Sequence, residues 1–120
     1  MADEQNVTGI RVPVLDRIVT RGQVWPRMAE KHGVTNPVPP WKSSLDATCD
    51  ALDREATTLP PLTRRREEDA LVEDVYRDLP FPENQLVALA HSLIARNVVD
   101  ETELSQRLAL VRARLEAAGD

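Results

Sequence analysis

The sequence contains a single cysteine, Cys49, which excludes an internal disulfide and any cysteine-rich metal site. It contains two histidines, His32 and His91, in different segments, and neither stands at metal-ligand spacing from Cys49. Aromatic residues make up 3% of the 120 positions, so the core must be built from Leu, Val, Ile and Ala. No apolar run approaches the ~20 residues that cross a bilayer. Positive charge is in deficit: 15 Lys and Arg against 20 Asp and Glu leave a formal charge of −5. That balance argues against a general nucleic-acid binder, which must displace counterions from phosphates. It argues equally against electrostatic binding to a membrane surface. There is no nucleotide-binding glycine loop, no serine elbow and no Cys/His pairing. The segment Met1–Asn6 is acidic and polar, unlike a secretory or transit signal, and a cytoplasmic location is expected.

Proline is unevenly distributed. All 9 prolines lie between Pro13 and Pro82, and none follows. The expected organisation is an arm over residues 1–42, with short helices and a Pro-rich strap, followed by a helical domain over 43–120. Residues 1–11 read as a polar, mobile tail. Val14, Leu15, Ile18 and Val19 share one face of a short helix that Pro13 can open and Gly22 can close. A second short helix runs from Trp25 to near Gly33. Val34–Trp41 carries three prolines and reads as an extended strap.

Ser43 or Ser44 is suited to cap a helix reaching about Thr58, with Leu45, Cys49, Leu52 and Ala56 along its apolar face. Cys49 reads there as a small buried hydrophobe. Thr63 is the expected cap of a helix to about Asp78, carrying Leu71, Val72, Val75 and Tyr76. Pro82 and Glu83 open a further helix whose broad apolar face (Leu86, Val87, Leu89, Ala90, Leu93, Ile94) predicts deep burial. His91 lies beside that face and reads as a boundary residue. Asn97 suits a left-handed helix end, and Asp100 with Glu103 resembles a capping box for the last helix. Leu104, Leu108, Val111 and Leu115 form that helix's stripe. The short Asn97–Asp100 link predicts an antiparallel hairpin. The fold class is all-α.

Arg64, Arg65 and Arg66 stand in a first helical turn, where positive charge opposes the helix dipole. Glu67, Glu68 and Asp69 follow and offset part of that cost. The run reads either as solvated surface or as a guanidinium cluster for an oxyanion or a partner's carboxylate.

The segment Glu83–Arg107, above all Val98-Val99-Asp100-Glu101-Thr102-Glu103-Leu104, resembles the helical N-terminal region of nitrile hydratase β subunits and of the thiocyanate hydrolase β subunit. The likeness covers roughly residues 63–117. The barrel-like second half of a full β subunit has no counterpart here, so the chain looks like the helical piece of a split β subunit. The resemblance implies a non-catalytic subunit of a heteromeric metalloenzyme that hydrates a nitrile or thiocyanate carbon. Its partner would be a catalytic α-type subunit with a Cys-rich claw holding cobalt(III) or iron(III), and a separate SH3-like barrel subunit is a further candidate. This chain itself would bind no metal and no cofactor. Family β subunits supply an arginine to the oxidised claw cysteines. The resemblance puts it at Arg65, with Arg64 and Arg66 as register alternatives and Tyr76 as a residue that could reach the same interface. An activator of such an enzyme and an unrelated helical adaptor are the competing expectations.

Overall fold

The computed structural model describes residues 7–22, 24–55 and 60–118. Among them every regular element is helical. One 3-10 turn, Val7–Gly9, precedes α1 (Pro13–Arg21), α2 (Trp25–Lys31), α3 (Lys42–Glu55), α4 (Pro61–Asp74), α5 (Glu83–Ala95) and α6 (Glu101–Ala117). No described helix is long and apolar enough to cross a membrane.

Several expected boundaries are met. Gly22 ends α1 at φ 66°, Asn97 follows α5 at φ 64°, and the Asp100 carboxylate accepts from Glu103 N–H at 2.8 Å. Two expected caps are not used. Helix α4 starts at Pro61, before Thr63, because proline's fixed φ is already helical and its missing N–H costs nothing in a first turn. Helix α3 starts at Lys42, so Ser43 and Ser44 lie inside its first turn. Along α3, Leu45 is buried and Cys49 and Leu52 are half-buried, while Ala56–Thr58 lie outside the described residues.

The core overturns the division into arm and domain. Val7, Val12, Val14 and Leu15 are buried in one cluster with Leu71, Tyr76, Val87, Ala88 and Ile94. The front of the chain therefore supplies core side chains and is not an extended arm. Of the expected polar tail, Met1–Asn6 lie outside the described residues, and Val7 is buried. The physical reason is the shortage of large side chains: α4 and α5 bury their apolar faces only if β-branched residues from the front complete the layer. The Pro-rich stretch folds back locally. Asn36 O accepts from the Trp25 indole at 3.1 Å, Val34 N–H reaches Ala29 O at 2.8 Å, and Pro39 is buried.

Helices α4 and α5 pack against each other and form the spine. As its breadth predicted, α5 is the most buried helix, with Val87, Ala88, Leu89, His91, Ser92 and Ile94 all inside. The expected packed hairpin of α5 and α6 is not formed. The connection is as tight as its sequence suggests, but every residue of α6 from Gln106 onward is exposed. The molecule is correspondingly elongated, 49 × 29 × 27 Å.

His91 lies in the core and not at its boundary. Its Nε2 is 2.8 Å from Val7 O, and its Nδ1 is 2.7 Å from the Tyr76 hydroxyl. A carbonyl can only accept, so Nε2 donates to Val7 O, and Nδ1 pairs with the phenol hydroxyl. The imidazole thus joins the front segment, the end of α4 and α5 at one point. Tyr76 is turned inward where α4 ends, with both Val75 and Tyr76 N–H donating to Leu71 O at 2.9 Å.

Burial pushes the Tyr76 phenol up to about 12, with Asp16 adding to the shift and Arg11 opposing it. The fold retains a proton that the unfolded chain releases near 10, so stability falls as pH rises through the window between 10 and about 12. Tyr76 is the only tyrosine, so tyrosinate absorbance reports on it alone. In the folded protein that absorbance should rise near pH 12, or together with the loss of helical circular dichroism. A rise near pH 10 with full helicity would place the phenol outside the core.

Candidate functional site

A groove of about 360 Å³ opens between α3, α4 and the start of α5. Cys49 comes from α3, Arg64, Arg65, Glu68, Asp69 and Val72 from α4, and Phe81, Asn84 and Gln85 from the α5 entrance. The helical period explains the α4 contribution: positions 64, 68 and 72 repeat every four residues along one face, and 65 and 69 lie next to them.

The Arg64 guanidinium is the floor of this groove. It is 3% exposed, with one fork nitrogen 2.5 Å from Asp53 and the other 2.5 Å from Glu68. Its Nε is buried without a partner. Burial works against the Arg64 charge, but Asp53 and Glu68 outweigh it and hold the group more basic than usual. Burial also pushes Glu68 up, by more than Arg64 pulls it back. These two tendencies oppose each other across one contact. The geometry decides for the ionic form, because arginine does not surrender its proton and both carboxylates sit at hydrogen-bond distance. The pair with Asp53 ties α3 to α4.

Cys49 faces this cluster. Burial and the nearby Glu68 charge push its thiol up, and Arg64 only partly compensates. A protonated thiol is a poor nucleophile. Cys49 is half-buried on the groove wall, where the α3 stripe suggests a fully buried small hydrophobe. Arg65 and Arg66 are exposed, and only Arg65 lines the groove. Phe81 is exposed at the mouth, with the Lys42 ammonium 5.5 Å from its ring centre.

The residues singled out from the sequence therefore separate. Arg64 is committed to Asp53 and Glu68, and Tyr76 to His91. Arg65 and Arg66 face solvent. What remains at the groove is a cation at the rim, two amides, an acid and two apolar contacts. Such a set can offer charge, hydrogen bonds and apolar contact to a ligand or a surface. Among the described residues, no group of three or more His, Cys, Asp or Glu side chains is placed to hold a metal ion.

The acids that organise the site were not legible as such. Glu67 accepts from Ser92 and from Arg96, joining α4 to α5. Glu83 accepts from Trp25 N–H, and Glu101 from Val14 N–H at 2.9 Å. In the sequence each reads only as a first-turn or surface acid of its own helix.

Arg64→Leu should destabilise the fold by about 3 kcal/mol, because Asp53 and Glu68 lose the cation they are buried against. Arg65→Leu, at an exposed position, should change stability by less than about 0.5 kcal/mol. Thermal denaturation of the two variants checks this, and equal melting temperatures would remove Arg64 from the framework.

No protein-family model, no curated protein and no solved structure matches this chain.

Proposed function

We propose that this chain is a non-catalytic β-type subunit of a heteromeric metalloenzyme of the nitrile hydratase or thiocyanate hydrolase kind. In this reading it wraps a metal-bearing catalytic subunit and helps form the pocket in which a nitrile or thiocyanate carbon is hydrated. The cobalt(III) or iron(III) belongs to the catalytic subunit, where it acts as a Lewis acid or activates water. This chain's part is to present surface and charge.

The supporting observation is Arg65. It stands exposed at the rim of a groove whose floor is an internally paired Arg64–Asp53–Glu68 cluster. Among the described residues no hydrogen bond or ion pair commits its guanidinium fork to the chain's own framework. A planar fork can hold two oxygens of an oxidised thiolate at once and stabilise their charge. Arg66 is the exposed register alternative. Arg64 has no fork left to offer, and Tyr76 lies in the core.

The test is purification of the tagged full chain from its host, with mass spectrometry of the partners, elemental analysis and assays for nitrile and thiocyanate hydration. A stoichiometric partner with a three-cysteine claw and bound cobalt or iron is the expected result. Arg65→Lys should then lower turnover while leaving assembly intact, because lysine cannot reproduce the fork. A claw-bearing partner that releases the chain on maturation would make it an activator. A partner without metal, or an unchanged rate for Arg65→Lys, would overturn the assignment of a claw-supporting subunit.

A further inference from the structure

Among the described residues, the contacts that helix α6 makes with the rest of the molecule lie near its start. Glu101 accepts from Val14, Leu104 packs against the core, and Ser105 Oγ is 3.5 Å from Arg17. Beyond them Leu108, Val111 and Leu115 are 39%, 41% and 53% exposed. With Leu104 they recur at intervals of four, three and four residues, the a/d seam of a coiled coil. The seam begins in a hollow of about 300 Å³ formed by Val98, Val99, Asp100, Glu103, Leu104 and Arg107. Leu110, also exposed, lies off the seam.

The flanks of the seam are basic. Arg107 and Arg114 occupy g positions on one side, and Arg112 an e position on the other. Arg112 pairs with Glu116 at 3.5 Å, and Arg107 borders the hollow that Asp100 and Glu103 also line; among the described residues neither Arg107 nor Arg114 forms an ion pair.

We propose that this seam docks an amphipathic helix of a different protein, one whose own heptad stripe is flanked by Asp and Glu. Charge selects the occupant. In a pair of copies of this chain, parallel helices would set Arg107 against Arg112 across the seam, and antiparallel helices would set Arg107 against Arg114. Both arrangements place like charges face to face. An acidic-flanked helix turns each of these repulsions into an ion pair. A membrane surface fits less well. Interfacial helices carry a broad apolar face, whereas this seam is two positions per heptad wide and belongs to a chain of net charge −5. A second feature favours a helical partner. The outer turns of α6, from residue 106 onward, are exposed among the described residues, and a free helical stretch of about 12 residues is marginal in water. Pairing would supply the missing burial. The inference stands independently of the metalloenzyme reading.

The probe is a synthetic three-heptad helix with Leu at a and d and Glu at e and g, added to the full chain and followed by fluorescence anisotropy. A control peptide carries Lys at e and g. The Glu peptide should bind with an affinity that falls as salt rises, and the Lys peptide should bind on the order of tenfold more weakly or worse. Val111→Glu should abolish binding; the residue is exposed, so helical circular dichroism of the free chain should be unchanged. The combined Arg107→Glu, Arg112→Glu and Arg114→Glu variant should prefer the Lys peptide. Equal affinity for both peptides, or binding of neither, would overturn the proposal. So would a dimer of the chain alone that Val111→Glu dissolves, or capture by phosphatidylserine vesicles without peptide binding.

Discussion

Glu83 and Glu101 each stand in the first turn of one helix and accept a hydrogen bond from the first turn of another: Glu83 from Trp25 at the start of α2, Glu101 from Val14 at the start of α1. Neither α1 nor α2 has a capping side chain of its own. Two helix N-termini brought together would otherwise oppose their partial positive charges and leave N–H groups unpaired. A carboxylate shared between them satisfies both. Each such contact is worth about 0.3–1 kcal/mol when exposed and up to ~2 when partly buried. Here they also decide which helix ends meet. The two short front helices could not persist alone, and they are held by acids that lie 58 and 87 residues further along the chain.

The interior is completed in the same way, by polar groups that reach across elements. His91 connects the front segment to α4 and α5, Arg64 connects α3 to α4, and Glu67 connects α4 to α5. With four aromatic residues the chain has few large side chains for wedging helices together. Directional contacts supply the specificity that bulk cannot. Their functional consequence is division of labour. Groups spent inside, such as Arg64, Tyr76 and His91, are unavailable to a partner, whereas Arg65 at the groove and the seam of α6 remain open.

Much of the local structure was legible. Gly22 and Asn97 end helices in left-handed geometry, Asp100 caps α6, and the apolar density of Val87–Ile94 marks the buried helix. These are short-range effects, set by dihedral preference and by side chains within a few residues. The helix starts at Pro61 and Lys42 were displaced from Thr63 and the Ser43–Ser44 pair because several nearby residues can open a helix, and the backbone geometry of the preceding turn chooses among them. The arginine run was ambiguous for a different reason. Adjacent positions on a helix differ by about 100°, so one arginine of the three falls on the inner face and the others do not. The sequence carries no mark of which.

The amino-acid order by itself determined that the described residues form an all-helical fold and where α1, α2 and α5 stop, because capping, proline geometry and apolar spacing act within one or two turns. Helix α4 stops at Asp74, one turn before the expected Asp78. Only the tertiary structure decided that the front segment belongs to the core and that His91 lies inside it. The same holds for Arg64 as a buried tie and for α6, which leaves the body instead of folding back on α5. Each of these depends on which apolar face finds its complement across tens of residues. That is settled by burial and by distant carboxylates, which local spacing does not encode.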